Sequence, residues 1–234
     1  MIIKNFSHKG EEVVNSNLNA LDASVNLIKE INIKEVETLE LEDVDDTVFS
    51  LLEHDKGNEV KVSQFTGAED GIVRAGLSKY EKRGLSNIVP SFDKEKCIMC
   101  NLCSFVCPHA VVRPYLLTEE EYENAPEEVK EACKDAKIKD NELMYTIGIS
   151  TFDCTGCSLC ANICPTKAIE MDKIKEKEQI KFDYLEKIEE KRVLGINTVK
   201  GSQFRKPLFE FHGACAGCGE TPYLKLLSQL FKDN

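Results

Sequence analysis

An α+β fold, with a small cysteine-bound core and helical or irregular segments around it, is predicted by three features of this 234-residue sequence. The run from Cys97 to Val112, CIMCNLCSFVCPHAVV, recurs from Cys154 to Ile169 as CTGCSLCANICPTKAI, at an offset of 57 residues. Each copy ends in short apolar stretches that predict strands near Val111 and Ile169. Between the copies, residues 113–153 contain helix-start signals, so the core carries an inserted helical segment.

The flanking elements follow in chain order. In NALDASVNLIKEI, Asn19 can cap a helix whose Leu21, Val25 and Ile28 recur at i, i+4 and i+7 on one buried face. VETLELED (36–43) suggests a short extended piece. Val44, Val48, Leu51 and Leu52 then mark a second helical face that Gly57 would end. Glu59 to Pro90, with glycines at 67, 71, 76 and 84, reads as loop-dominated. Thr118 with Glu121 forms a capping-box pattern, and Pro126 suits the first turn of another short helix. Cys133 falls four residues after Val129 on that helix and is expected to be a buried, inert thiol. Residues 173–192 mix both charge signs around a narrow stripe of Ile180, Tyr184, Leu185 and Ile188, the pattern of a solvated helix.

Forty-one acidic against 30 basic residues leave a net charge of -11, which argues against binding nucleic acid through its phosphates. No apolar run approaches the roughly 20 residues needed to cross a bilayer, so no membrane role is expected. MIIKNFSHKGEE turns polar by Lys4 and does not read as a signal peptide, which points to the cytoplasm. Thiols stay reduced there, so the clustered cysteines among the eleven read as metal ligands rather than disulfides.

The repeated frame is C-x2-C-x2-C-x3-C-P. Three thiolates at this spacing can wrap one face of an iron-sulfur cube, because the intervening backbone turns back and points its N–H groups at the sulfurs. In runs of this type the fourth cysteine serves the other cluster. The expected sets are Cys97, Cys100, Cys103 and Cys164 for one [4Fe-4S] cluster, and Cys154, Cys157, Cys160 and Cys107 for the second. Zinc is the rival metal, but its sites pair two C-x2-C knuckles across a longer gap and have no use for this third cysteine and C-P, twice over. Ile98, Leu102, Val106, Leu159 and Ile163 are expected to line the clusters and exclude water, which helps set the potential. Pro108 and Pro165 would end each ligand loop. His109 and His212 flank cysteines and are expected near the clusters or at the surface, not as ligands.

Further stretches carry a resemblance. YEKRGLSNIVP (80–90), the two cysteine runs, VKGSQFRKPLFEFHGACAGCGETPY (199–223) and LKLLSQLF (224–231) occur in this order in pyruvate:ferredoxin (flavodoxin) oxidoreductase. The chain resembles an internal slice of that much longer enzyme. The resemblance implies the end of a gamma-like 2-oxoacid oxidoreductase domain at 1–33, a linker and EKR segment at 34–90, and a two-cluster ferredoxin domain at 91–172 with its insertion at 113–153. Residues 173–234 would be a linker and the start of the thiamine-diphosphate-binding domain. The family oxidatively decarboxylates pyruvate on thiamine diphosphate and passes electrons singly through three [4Fe-4S] clusters to ferredoxin or flavodoxin. Cys215 and Cys218 would match the first two ligands of the third cluster, so the chain would hold half of that site, and thiamine diphosphate would belong only to the complete enzyme. The remaining domains or subunits of the oxidoreductase are the implied partners. Before YEKRG this chain reads TGAEDGIVRAGLSK, where the family commonly has Pro-Asp-Gly and Pro-x-Gly-Thr, and Tyr80 to Gly84 are expected to form a charged surface turn.

The resemblance favours an electron-transfer segment that cannot turn over pyruvate alone. The alternatives are a free-standing two-cluster carrier, in which Cys215 and Cys218 are vestigial, and a metal-stapled structural module. Much of the first 90 and last 40 residues is expected to be extended or poorly buried.

Overall fold

The computed structural model describes residues 1–27, 47–53, 55–66, 69–71, 76–139 and 141–232. The chain divides into two compact units, Met1–Glu40 and Leu41–Asn234. In the first, helix α1 (Ile2–Phe6) is followed by a 3-10 turn and helix α2 (Glu11–Leu27). Asn19 lies inside α2 and does not cap it. The helix starts just after Gly10, and Glu11 and Glu12 in its first turn suit the positive end of the helix dipole. Leu21 and Val25 are exposed, so these two positions of the expected apolar face are not buried in this unit, and Ile28 lies outside the described residues. VETLELED and Val44 lie outside the described residues.

The second unit opens with helix α3 (Thr47–Glu53), followed by three 3-10 turns at Gly57–Glu59, Val62–Phe65 and Leu77–Tyr80. The cysteine-bearing core then unfolds the internal repeat in space. Strand β1 (Ile88–Phe92) leads into the first run, helix α4 (Leu102–Phe105) carries its middle, and strand β2 (Val112–Leu117) leaves it. The second half repeats this as strand β4 (Met144–Ile149), helix α7 (Leu159–Ile163) and strand β5 (Ile169–Lys173). Helix α5 (Glu119–Glu123), helix α6 (Glu127–Ala132) and the two-residue strand β3 (Lys134–Asp135) lie between the halves.

The halves exchange partners. β1 pairs antiparallel with β5, from Ile88 opposite Lys173 to Phe92 opposite Ile169. β2 pairs antiparallel with β4, from Val112 opposite Ile149 to Leu117 opposite Met144, and β3 extends β4 on its other edge. Strands near Val111 and Ile169 therefore exist but do not pair with each other. Their partners β1 and β4 are absent from the sequence reading, and β4 puts part of the expected helical insertion into the core sheet.

The core joins Val89, Val111, Val112, Tyr145, Ile147, Ile149, Ile169, Phe182 and Phe211 with the buried thiols Cys107, Cys154 and Cys160. A second cluster of Leu117, Ala125, Val129, Cys133 and Leu185 lies under the insertion. Thr118 caps α5 in the expected box, its hydroxyl accepting from the Glu121 N–H at 3.2 Å while its own N–H donates to Glu121 Oε2 at 2.8 Å. Cys133 is buried, and burial pushes its thiol up to about 11, which keeps it protonated and inert.

Helix α8 (Glu176–Leu185) corrects the expectation of a solvated helix. Phe182 and Leu185 are fully buried, Ile180 is exposed, and Lys181 is buried beside Glu178 at 2.6 Å, a pairing that lets charge enter the interior. After helix α9 (Val199–Ser202), helix α10 (Thr221–Phe231) is inverted. Its polar Thr221, Lys225 and Gln229 are buried at i, i+4 and i+8, whereas Tyr223, Leu227 and Phe231 are exposed at the same spacing. The last 40 residues are therefore not poorly buried as a whole. Among the described residues no helix is long and apolar enough to cross a membrane.

Candidate metal centre

Each run turns on the same backbone conformation. Positive φ occurs at Met99 (58°) and Gly156 (66°), at Asn101 (61°) and Ser158 (63°), and at Ala110 (56°) and Lys167 (52°). Each pair is separated by the 57-residue repeat offset. L-residues rarely adopt this region, so the matched turns are specific features of the loop and not generic coil. Their effect is to aim backbone donors at sulfur: Met99 N–H at Cys97 Sγ (3.3 Å), Gly156 N–H at Cys154 Sγ (3.4 Å) and Ala168 N–H at Cys164 Sγ (3.2 Å). Gly156 is required sterically as well, because a Cβ there would lie 2.3 Å from Ser86 Oγ.

The cysteines fall into two neighbourhoods. Cys97, Cys100, Cys103 and Cys164 line one cavity, walled by Phe92, Tyr145, Ile147 and Ile169. Burial pushes the Cys103 thiol up to about 12, and the nearby Cys97, Cys100 and Cys164 push in the same direction. The second neighbourhood gathers around Cys160, which burial raises most, with Cys107, Cys154, Cys103 and Cys157 adding to it. Burial likewise pushes Cys154 up to about 12, with Cys107 and Cys157 among its neighbours. Cys164 thus lies with the first run and Cys107 with the second, while Cys103 and Cys160 bring the two neighbourhoods together.

Among the described residues, no three His, Cys, Asp or Glu side chains converge as a single-ion site requires. Soft sulfur donors, N–H groups aimed at them and an apolar wall fit an iron-sulfur group.

Of the expected lining residues, Ile98 and Leu102 border the first cavity, but Ile98 and Ile163 are substantially exposed. Water is excluded instead by Tyr145 and Ile147 from β4 and by Phe92 and Ile169 from the β1–β5 pair. Sequence reasoning missed these because strand pairing, not ligand spacing, brings them in.

It also missed a polar layer behind the first run. Tyr145 Oη donates to Asn101 Oδ1 at 2.9 Å, and Asn101 Nδ2 donates to the Lys200 carbonyl at 2.8 Å. Ser104 Oγ donates to Gln203 Oε1 at 3.0 Å, and Gln203 Nε2 donates to Gln229 Oε1 at 3.2 Å. Lys225 Nζ donates to the carbonyls of Ser104, Phe105 (3.1 Å) and Cys107 (3.2 Å). Burial pulls its pKa down to about 8. Lys134 Nζ, from β3, donates to the carbonyls of Lys94 (2.7 Å) and Cys97 (2.9 Å).

Cys215 and Cys218 join neither neighbourhood. Cys215 is exposed, Cys218 is half-buried, and the Cys218 N–H donates to the Cys215 carbonyl at 3.1 Å in a tight turn. The turn lies against the second run, since a Cβ on Gly217 would be 3.7 Å from the Cys157 Cβ. His109 and His212 stack with ring centroids 4.7 Å apart, near the cysteines.

The segment from Ser78 to Ser86 is more than a charged surface turn. Lys82 Nζ pairs with Asp153 at 2.8 Å, and the Gly84 N–H donates to the Phe152 carbonyl at 2.8 Å, directly before Cys154. Ser78 Oγ donates to the Glu210 carbonyl at 2.8 Å and Arg83 to the Phe211 carbonyl at 3.4 Å, shortly before Cys215. One strap therefore fastens the second run to the segment leading into the Cys215–Cys218 turn.

Residues 93–168 match the family of 4Fe-4S dicluster domains, and residues 43–86 match EKR, a domain of unknown function. The cysteine-rich core is thus a 4Fe-4S dicluster domain of mixed helix and sheet. Over nearly its whole length the chain is homologous to a segment of the pyruvate:ferredoxin and pyruvate-flavodoxin oxidoreductases. It is 40% identical to the pyruvate:ferredoxin oxidoreductase of Moorella thermoacetica over 99% of its own length and 21% of that protein. With the pyruvate-flavodoxin oxidoreductase of Klebsiella pneumoniae it shares 44% identity over 76% of this chain and 15% of the relative. It is also 37% identical to a pyruvate dehydrogenase [NADP(+)] of Cryptosporidium parvum, over 98% of this chain and 14% of that protein. The chain spans about a fifth, or less, of the length of these relatives.

Proposed function

We propose that this chain is the electron-relay segment of a pyruvate:ferredoxin (flavodoxin) oxidoreductase and holds two [4Fe-4S] clusters with crossed ligands. Cys97, Cys100, Cys103 and Cys164 would hold one, and Cys154, Cys157, Cys160 and Cys107 the other. The observation that carries this reading is the presence of Cys164, from the second run, in one cavity with Cys97, Cys100 and Cys103. When bound, such clusters supply one-electron transfer without making or breaking bonds to substrate.

The chain's own residues orient and insulate the sulfurs. Turns at Met99, Gly156 and their repeat partners aim N–H groups at the thiolates, and Tyr145, Ile147 and Ile169 exclude water. The Cys215–Cys218 turn would supply two ligands of a third cluster beside the second run. In the assembled enzyme the segment would then lie between a pyruvate-oxidising site and a ferredoxin or flavodoxin, with the rest of the oxidoreductase as its partner and the cytoplasm as its compartment. The relatives' names and lengths support that assignment.

Anaerobic reconstitution with iron and sulfide tests the reading. Two four-iron clusters give roughly eight irons per chain and paramagnetic signals on reduction with dithionite. A chain that folds with zinc alone and shows no reducible iron would refute it.

A further inference from the structure

Resting on that reading, we propose that Lys225 is a buried countercharge that raises the reduction potential at the two cysteine sets. Its side chain is 1% exposed, on the inward polar face of α10. Its three hydrogen-bond partners are the carbonyls of Ser104, Phe105 and Cys107, which match the three donors of an ammonium. Carbonyl dipoles solvate the cation but do not neutralise it. Among the described residues no carboxylate forms an ion pair with Lys225, although lysine is almost never buried without an opposite charge.

The thiols nearest it are those of Cys107 and Cys103, and the neighbouring Arg113 guanidinium is offset by its ion pairs with Glu186 and Glu210. Cys103 lies with the first set and Cys107 with the second, so one ammonium faces both. Reduction adds one electron, and hence one negative charge, to a site, with no bond formed and no proton moved. A fixed cation in a water-poor interior favours that added charge far more than a solvated one does. Lys134 provides the contrast: it also reaches a ligand-loop carbonyl, at Cys97, but is only half-buried, so water screens it. Lys225 is therefore a positioning residue for charge, supplied by the helix that follows the Cys215–Cys218 turn.

The competing role is structural, since the same three bonds satisfy carbonyls at the end of α4. Potentiometric titration of the reconstituted full chain, followed by low-temperature electron paramagnetic resonance, separates the two. In Lys225→Met the reduced-to-oxidised ratio of at least one cluster, at fixed potential, should fall about tenfold, a shift of about 59 mV to more negative potential. Lys225→Arg should stay near wild type. Lys225→Gln removes the charge but keeps a donor and should shift in the same direction, which preserves the test if the methionine variant does not fold. Full iron content with wild-type potentials in a neutral variant would overturn the countercharge and leave only a structural bond. Absence of reducible iron in the wild-type chain would instead overturn the cluster reading on which it rests.

Discussion

His109 and His212 hold each other's chain segment. His109 Nδ1 donates to the His212 carbonyl at 3.0 Å, while His212 Nε2 donates to the Pro108 carbonyl at 2.8 Å. The rings stack, and Phe209 also stacks on His212 with centroids 4.5 Å apart. The stretch after Cys107 is thereby joined to the stretch before Cys215.

His212→Ala removes one of these bonds and leaves the Pro108 carbonyl without its partner. The expected cost is about 1–3 kcal/mol, with faster amide exchange across residues 209–214. Exchange in that stretch unchanged from wild type would show that the stacked pair does not fasten it.

The strap makes a similar prediction about Asp153, whose side chain is only 4% exposed beside Lys82. Lys82→Met leaves that carboxylate nearly buried without its cation. Because Lys82 itself is partly solvated, the loss should be about 1–3 kcal/mol, less than for a fully buried pair. In the Lys82→Met/Asp153→Asn double variant the combined loss, measured by urea unfolding, should be smaller than the sum of the single losses. Strict additivity would mean the pair contributes nothing of its own.

The dicluster domain was legible because its signal is local: three-residue spacings, repeated once, mark the two cysteine runs along the chain. The short helices after Thr118 were legible for the same reason. Strands β1 and β4 were not, since each is defined by a partner far along the chain: Phe92 of β1 lies opposite Ile169 of β5, and Met144 of β4 opposite Leu117 of β2. Gly148 also interrupts the apolar pattern of β4, although a Cβ there would come within 2.8 Å of the Tyr115 ring. In α10 the usual inference fails outright. Tyr223, Leu227 and Phe231 form the apolar stripe that periodicity assigns to a core, yet the opposite face is drawn inward by the Ser104 carbonyl, which accepts from Lys225, and the Arg205 carbonyl, which accepts from Gln229. The strap was read as solvent-facing because Lys82 and Arg83 find their partners 71 and 128 residues away.

Acid sensitivity should centre on Glu186. Burial alone would raise its pKa, but Arg113 and Lys206 outweigh this and hold the carboxyl below its ordinary 4.5. A carboxylate with a depressed folded-state pKa stabilises the protein above its unfolded value and loses that contribution as pH falls through the folded value. The stability gap between wild type and Glu186→Gln should therefore be open at pH 7 and narrow as pH falls below about 4.5. Urea midpoints of the two proteins at matched pH measure it, and a gap independent of pH would contradict the ion-pair origin.

Crossed ligation is the central claim, and the spectral pattern of serine variants tests it most directly. Cys107→Ser, Cys157→Ser, Cys100→Ser and Cys164→Ser are each reconstituted anaerobically, reduced, and compared by electron paramagnetic resonance. The account predicts that Cys107→Ser perturbs the same signal as Cys157→Ser, and that Cys164→Ser perturbs the same signal as Cys100→Ser. If Cys107→Ser instead tracks Cys100→Ser, each run holds its own cluster and the crossed arrangement is wrong.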